Sequence, residues 1–175
     1  MNEAPLWIGN DHGGIELKQA IAAHLAQRGV AFKNVGSDSP EIVRYPLFAE
    51  QVAGAVSRGE AQRGILICST GIGMSIIANK FRGVRASLCT SAHMGRMTRA
   101  HNDSNLLCLG GKITRTEEAL AILDAWLDTP FEGGRHRISL DLIAQAEQAL
   151  LRREKWTPVP KTIEECAPPN TFPLP

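Results

Sequence analysis

Residues 64–80 have the sequence GILICSTGIGMSIIANK, and this stretch decides the fold. Its first five residues, Gly64–Cys68, form a short apolar run rich in Ile and Leu, which is typical of a buried strand. A turn with two glycines follows, and the chain becomes apolar again near Ile76, where we expect a helix to begin. A strand that passes through a glycine turn into a helix is the repeating unit of parallel α/β sheets.

The same alternation recurs on both sides of this stretch. Four further short apolar runs predict strands, at residues 6–9, 30–35, 85–88 and 106–109. Leu17, Ile21 and Leu25 recur at the spacing of one helix face, and further helices are expected at residues 116–128 and 138–154. The sequence therefore predicts a three-layer α/β/α, Rossmann-like (flavodoxin-like) fold with a five-stranded parallel sheet.

Length and composition indicate one globular domain. The chain has 175 residues with a formal net charge of +1, so no broad field favours nucleic acid or a membrane surface. No apolar run approaches the ~20 residues that span a bilayer, and the amino terminus does not resemble a signal peptide. We therefore expect a cytoplasmic protein with no nucleic-acid or membrane partner.

The last twenty residues differ in composition from the rest. Six of the 10 prolines lie at 156–175, which excludes a continuing helix or a central strand. We therefore expect a domain at 1–154 and a proline-rich tail at 155–175. The tail is interpreted either as frayed or as an extended arm on a neighbouring subunit, and the sequence leaves both open.

The turn after the third strand has the equipment of an anion site. Successive N–H groups of a glycine turn at a helix start can hold an oxyanion or a phosphate. Cys68 stands at this turn, where the helix end would favour its thiolate. The 4 cysteines show no C-x-x-C spacing, so no metal site is expected from them, and Cys89 and Cys108 are interpreted as small core residues.

Polar residues gather at three other turns. Asp11 and His12 follow the first strand; capping would explain the Asp but not the neighbouring His. The segment HNDSN at 101–105 precedes the last strand, and its His101 is either a general acid–base group or part of a helix cap. Two arginines in GGRHR at 133–137 suit phosphate oxygens or are simply solvated.

Four strings in order resemble one family. NDHGGIELK (10–18), CSTGIGMSIIANK (68–80), HNDSN (101–105) and EGGRH (132–136) are similar to the ribose-5-phosphate isomerase type B and galactose-6-phosphate isomerase family. The resemblance covers about residues 6–150. It implies an aldose–ketose isomerase, an intramolecular oxidoreduction without metal or cofactor, on a sugar phosphate. It also implies a homodimer or tetramer with active sites at the subunit interface.

The resemblance also implies residue roles. Cys68 would move a proton between C1 and C2, while Thr70 and the backbone after it would hold the developing oxyanion. His101 of a partner subunit would open the sugar ring, and Asp11 would contact hydroxyl groups or assist that step. The positions implied in substrate binding are His12, Tyr45, Ser69, Gly71, Gly73, Met74, Ser75, Asn102, Lys112, Arg135 and Ser139.

Three departures leave the substrate open. Arg44 stands where the family usually has an acidic residue, Ser139 where it has a second phosphate arginine, and Lys112 where arginine is common. The first expectation is interconversion of D-ribose 5-phosphate and D-ribulose 5-phosphate through a cis-enediol. The alternatives are the same reaction on a hexose 6-phosphate, a tetrose phosphate or a free sugar, or a non-catalytic sugar-phosphate-binding module. A cysteine phosphatase is disfavoured because Met74 takes the place of its arginine.

Overall fold

A computed structural model describes residues 5–154 and 157, and within them one parallel sheet organises the chain. Its strands lie in the order β2-β1-β3-β5-β4, and every neighbouring pair is parallel. The fold class expected from the sequence is confirmed, with the last two strands exchanged relative to the flavodoxin order. The strands are β1 (Leu6–Asn10), β2 (Phe32–Asn34), β3 (Gly64–Cys68), β4 (Ala86–Leu88) and β5 (Leu106–Gly110).

Helices connect the strands and cover both faces of the sheet. A short 3₁₀ turn (His12–Gly14) leads into the first helix. The helices are α1 (Ile15–Gln27), α2 (Tyr45–Ser57), α3 (Ile72–Ala78), α4 (Ala92–Asn102), α5 (Thr116–Asp128) and α6 (Arg135–Leu151). No helix in the described part of the chain is long and apolar enough to cross a membrane.

The core has two halves because alternate residues of each central strand face opposite sides of the sheet. Ile65 and Ile67 of β3 pack with α1 and α5, where Trp126 is fully buried. Leu66 and Cys68 of the same strand pack with α2 and α3. Both faces of β3 are thus covered, which explains its continuous apolar sequence.

Two predicted helix starts were wrong. Helix α3 begins at Ile72, not near Ile76, because Gly71 adopts a left-handed conformation (φ +75°) that turns the chain directly into the helix. Helix α6 spans Arg135–Leu151, whereas residues 138–154 were expected. It begins early for the same reason, since Gly133 and Gly134 both have positive φ. The division into a domain at 1–154 and a tail stays a prediction, because apart from residue 157 the tail lies outside the described residues.

Candidate active site

The turn between β3 and α3 wraps around the thiol of Cys68. Its Sγ accepts a hydrogen bond from the Gly71 N–H at 3.1 Å, and the side chain is almost fully buried. The Ile72 N–H donates to Thr70 Oγ1 at 3.4 Å, a long contact. Helix geometry leaves the Gly73 and Met74 N–H groups without a partner inside α3. The turn thus presents backbone donors next to a sulfur.

Two residues of this turn contribute less than the sequence suggested. The Ser75 N–H donates to the Gly71 carbonyl at 3.0 Å, closing the first turn of α3, and its hydroxyl donates to the Ile72 carbonyl at 2.8 Å. The Ser75 amide is thus occupied within α3, and its donation to an oxyanion stays a prediction. The Met74 side chain is fully buried in the core, so this residue can offer only its backbone to a ligand.

The turn after β1 lies directly beside the one after β3. Asp11 is buried and accepts a hydrogen bond from the Gly13 N–H at 2.8 Å, so the carboxylate does cap the short 3₁₀ turn. A Cβ on Gly13 would come within 2.3 Å of Ser69 Oγ. Glycine at this position therefore allows the Asp11 turn and the Cys68 turn to touch.

His12 and Tyr45 border the same turns. The Val43 N–H donates to His12 Nδ1 at 3.3 Å, which makes Nε2 the proton-bearing nitrogen of a neutral ring. Tyr45 begins α2 and is 37% exposed. A Cβ on Gly73 would stand 2.7 Å from Tyr45 Cζ, so the phenol ring lies against the first turn of α3.

Lys112 completes this cluster from the end of β5. Its backbone N–H donates to the Ser69 carbonyl at 2.9 Å. The residue is exposed, so its ammonium group can extend into solvent. The structure thus brings together, at the carboxyl edge of the sheet, Asp11, His12, Tyr45, Cys68, Ser69, Thr70, Gly71, Gly73, Met74, Ser75 and Lys112. We call this set the carboxyl-edge cluster.

The other two cysteines of the β-sheet region are ordinary core thiols. Burial raises the pKa of Cys89 to about 11 and also raises the pKa of the fully buried Cys108. Both therefore stay protonated near neutral pH and pack as small apolar groups, as the sequence suggested.

His101 lies in a separate cluster with Glu132 and His136. The two imidazole rings stack at 4.0 Å between centroids and 11° between planes. Glu132 Oε2 lies 3.7 Å from His101 Nε2 and 3.5 Å from His136 Nε2. Desolvation, followed by the neighbouring His101 and Arg135, lowers the pKa of His136, and Glu132 opposes this shift. Sequence analysis assigned no role to Glu132 or His136.

This second cluster stands at the amino edge of the sheet. The Asn102 carbonyl accepts a hydrogen bond from Arg85 Nε at 3.0 Å, just before β4 begins. The Asn105 carbonyl accepts from the N–H of Gly64, the first residue of β3. Cys68 is the last residue of β3, and a five-residue strand spans roughly 13 Å. One chain therefore holds Cys68 and His101 at opposite edges of the sheet.

Arg135 and Ser139 lie on α6, the helix that also carries His136 of this second cluster. Both are exposed on α6, and four residues separate them, so they lie on one helix face. The Glu132 N–H donates to the Ala100 carbonyl at 2.9 Å, which ties the start of α6 to the end of α4. The structure places His101, Asn102, Arg135 and Ser139 on α4 and α6, which this bond ties together, and does not join them to Cys68 within one chain.

A buried lysine supports the carboxyl-edge cluster and was missed from the sequence. Lys18 is 2% exposed, and its Nζ donates to the Ser37 carbonyl at 2.9 Å and pairs with Asp38. Asn10 Nδ2 donates to the same Ser37 carbonyl at 3.0 Å. The signal in the sequence is a charged residue directly after Leu17 on the apolar face of α1.

Comparison with known proteins extends the description to function. The family model Ribose/Galactose Isomerase matches residues 6–143. The chain is 47% identical over 141 residues to Ribose-5-phosphate isomerase B of Escherichia coli (strain K12), covering 81% of this chain and 95% of that protein. It is 41% identical over 128 residues to D-erythrulose-4-phosphate isomerase of Pectobacterium atrosepticum, covering 73% and 84%.

Solved structures agree with the fold. The Clostridium thermocellum Ribose-5-Phosphate Isomerase B superimposes with a TM-score of 0.81 and 46% identity over 83% of this chain and 99% of that one. The Mycoplasma genitalium Ribose-5-phosphate Isomerase B with bound ribulose-5-phosphate gives a TM-score of 0.79 and 36% identity over 82% and 96%. The chain therefore belongs to the ribose/galactose isomerase family and is a sugar-phosphate aldose–ketose isomerase.

Proposed function

We propose that the chain interconverts D-ribose 5-phosphate and D-ribulose 5-phosphate by proton transfer through a cis-enediol, with no metal or cofactor. The observation that carries the proposal is the Gly71 N–H donating to Cys68 Sγ at 3.1 Å, beside the open N–H groups of α3. The Gly71 N–H fixes the position of the sulfur, and the neighbouring amides suit an enediolate oxygen.

The reaction needs one base and one oxyanion site. In the open-chain aldose, Cys68 removes the C2 proton, the C–H electron pair forms the C1–C2 double bond, and O1 takes the negative charge. Return of that proton to C1, with transfer of the O2 proton to O1, gives the ketose. The Thr70 hydroxyl and the open Gly73 and Met74 amides hold O1 while it is charged. The reaction consumes no oxidant and is an isomerisation.

The sugar ring must open before this step, and His101 of a second chain supplies the acid. The support for a second chain is the separation of the two clusters, at opposite edges of the sheet in one molecule. Seating one chain's amino edge against another's carboxyl edge unites His101 and Asn102 with Asp11 and Tyr45. A dimer with two-fold symmetry forms two such sites, because the amino edge of each chain lies against the carboxyl edge of the other.

The same assembly surrounds the phosphate with hydrogen-bond donors, of which Lys112 and Arg135 carry positive charge. His12 and Lys112 come from the carboxyl-edge cluster, and Arg135 comes from the partner. Arg135 offers a two-pronged guanidinium, whereas Lys112 is a point charge. Ser139 lies one turn after Arg135 and contributes a hydroxyl where another arginine would add charge.

The test follows the C2 proton directly. D-ribose 5-phosphate is incubated with the protein in D₂O with a chelator, and proton NMR follows ribulose 5-phosphate and deuterium at C2. Cys68→Ala should lower turnover by roughly 10²–10⁴-fold, the usual contribution of a general base. Cys89→Ala, which removes a buried thiol outside the site, is the matched control and should keep its rate. A Cys68→Ala variant with the wild-type rate would refute the base assignment.

The second candidate function is the same isomerisation on another sugar. Lys112 and Ser139 favour it because they bind a phosphate group less strongly than two arginine side chains would. The same assay is therefore repeated with a tetrose phosphate, a hexose 6-phosphate and free ribose. Ribose 5-phosphate should give the highest kcat/KM, and a higher value for another sugar replaces the substrate proposal. Absence of turnover on every sugar, with folded protein, favours a binding module.

Chain mixing tests the shared site. Cys68→Ala and His101→Asn chains should each have little activity on furanose substrate, but a mixed dimer contains one site with both intact groups. Statistical mixing should restore about a quarter of the wild-type activity, because half the dimers are mixed and each has one complete site. Mixtures without activity after subunit exchange would place both groups in one chain and refute the assembly.

A further inference from the structure

The cluster of His101, Glu132 and His136 has the composition of a transition-metal site. Each residue offers one ligand atom, and these three atoms all lie within 4.8 Å of one another. It is the one group of three or more His, Cys, Asp or Glu side chains in the described residues that meets this test. Two imidazoles and one carboxylate are a ligand set that catalytic zinc sites use, with the fourth position left open.

Distances within the cluster favour ligands around a common point over a closed hydrogen-bond network. Glu132 Oε2 stands 3.7 Å and 3.5 Å from the two Nε2 atoms, longer than normal hydrogen bonds. Zn–N and Zn–O bonds of 2.0–2.1 Å at tetrahedral angles place neighbouring ligand atoms about 3.3 Å apart. The two spacings to Glu132 lie within a few tenths of an ångström of this value, and all three ligand atoms lie within 4.8 Å of one another.

Local structure holds the ligands in register. His101 and His136 stack nearly parallel, and both Nε2 atoms lie within 3.7 Å of the same carboxylate oxygen. The Glu132 N–H is anchored to the Ala100 carbonyl, and His136 lies in the first turn of α6. Three ligands on two tied segments lose little conformational freedom on binding a cation, which favours affinity.

We propose that His101, Glu132 and His136 bind a divalent transition metal such as Zn²⁺, and that the bound ion inhibits isomerisation. The ion takes the Nε2 lone pairs of both imidazoles and one carboxylate oxygen, leaving a fourth position for water. Coordinated His101 has no free Nε2 with which to move a proton. The binding claim stands on the cluster alone, and the inhibition claim rests on the proposed ring-opening role of His101.

Calorimetric titration of Zn²⁺ into the full-length chain, in a buffer without phosphate, tests the binding claim. One ion per chain is expected. Glu132→Gln and His136→Asn should each weaken binding at least about 100-fold, since even the loss of an outer-shell partner costs 10–100-fold. Two controls should bind like wild type. Cys68→Ser removes the buried thiol of the carboxyl-edge cluster, and His24→Asn removes the separate histidine of the His24–Asp124 pair.

Three outcomes overturn the site: no binding, binding weakened equally in all four variants, or loss confined to Cys68→Ser. Inhibition is tested separately by adding Zn²⁺ to the ribose 5-phosphate assay and then a chelator. Wild type should lose turnover and regain it, and Glu132→Gln should need about 100-fold more zinc. Metal binding without isomerase activity would refute the proposed substrate but not the metal site. Isomerase activity without metal binding would refute the metal site but not the proposed substrate.

Discussion

Gly71 allows the sharpest prediction because conformation and space both exclude a side chain there. Its φ is +75°, and a Cβ would come within 2.6 Å of Leu88 Cδ1 and 2.9 Å of the Leu109 carbonyl carbon. The backbone of Leu109 lies in the central strand β5 and cannot retreat as a flexible side chain can. Gly71→Ala should therefore strain the turn that holds Cys68.

The magnitude is a sum of three contributions. A left-handed conformation costs an L-residue about 1–2 kcal/mol, and forced overpacking costs about 1–3 kcal/mol more. Loss of backbone freedom in the unfolded chain returns about 0.4–1 kcal/mol. Gly71→Ala should thus lower the free energy of unfolding by roughly 1–4.6 kcal/mol, with about 3 kcal/mol at the middle of the ranges. It should also reduce turnover, because the Gly71 amide moves away from Cys68 Sγ.

Gly83 supplies the matched control. It has nearly the same φ, +71°, but a Cβ there would meet no atom within 4 Å. Gly83→Ala therefore keeps the conformational cost and omits the clash, for a net loss of about 0.5–1 kcal/mol. Urea unfolding followed by tryptophan fluorescence, at one protein concentration for all variants, measures both. Two variants within about 0.5 kcal/mol of each other would refute the steric argument.

Three further substitutions test other contacts. Lys18→Met removes the buried ammonium that donates to the Ser37 carbonyl, and should lower the free energy of unfolding by about 1.5–3 kcal/mol; an unchanged urea midpoint would show that this hydrogen bond does not stabilise the fold. Trp126→Phe leaves the buried Ser104 hydroxyl without the indole N–H that donates to it at 2.8 Å, and should lower the free energy of unfolding by about 1–3 kcal/mol. An unchanged thermal unfolding midpoint would contradict this. Lys112→Arg should lower KM for the sugar phosphate by adding a second donor, and an unchanged or higher KM would place this residue away from the phosphate.

The fold was predictable where burial alone determines the sequence. β3 and β5 are covered on both faces, so every residue in them is buried and the apolar runs mark their positions. β2 and β4 are the outermost strands of the sheet, contain only 3 residues each and are partly exposed. Apolar residues next to them, such as Val30 and Val35, pack from outside the strand, which is why the predicted strand at 30–35 was too long.

The site was predictable where one turn positions it. Asp11, Cys68 and the glycines after it were recognised because a strand end, a glycine and a helix start are adjacent in sequence. The position of Lys112 beside this turn comes from a backbone bond to Ser69, between segments more than forty residues apart, and only the resemblance indicated it. The bond between Lys18 and Ser37 joins distant segments too, and no local pattern marks it.

The separation of Cys68 from His101 follows from topology. In a parallel sheet every strand runs the same way, so a residue that ends a strand and one in the connection just before the next strand lie at opposite edges. Cys68 ends β3, and His101 stands in the last turn of α4, a few residues before β5. No loop movement short of unfolding brings the two together within a chain. A reaction that needs both groups therefore makes association of two chains a condition of turnover, and dilution below the dimer dissociation constant should abolish activity while each chain remains folded.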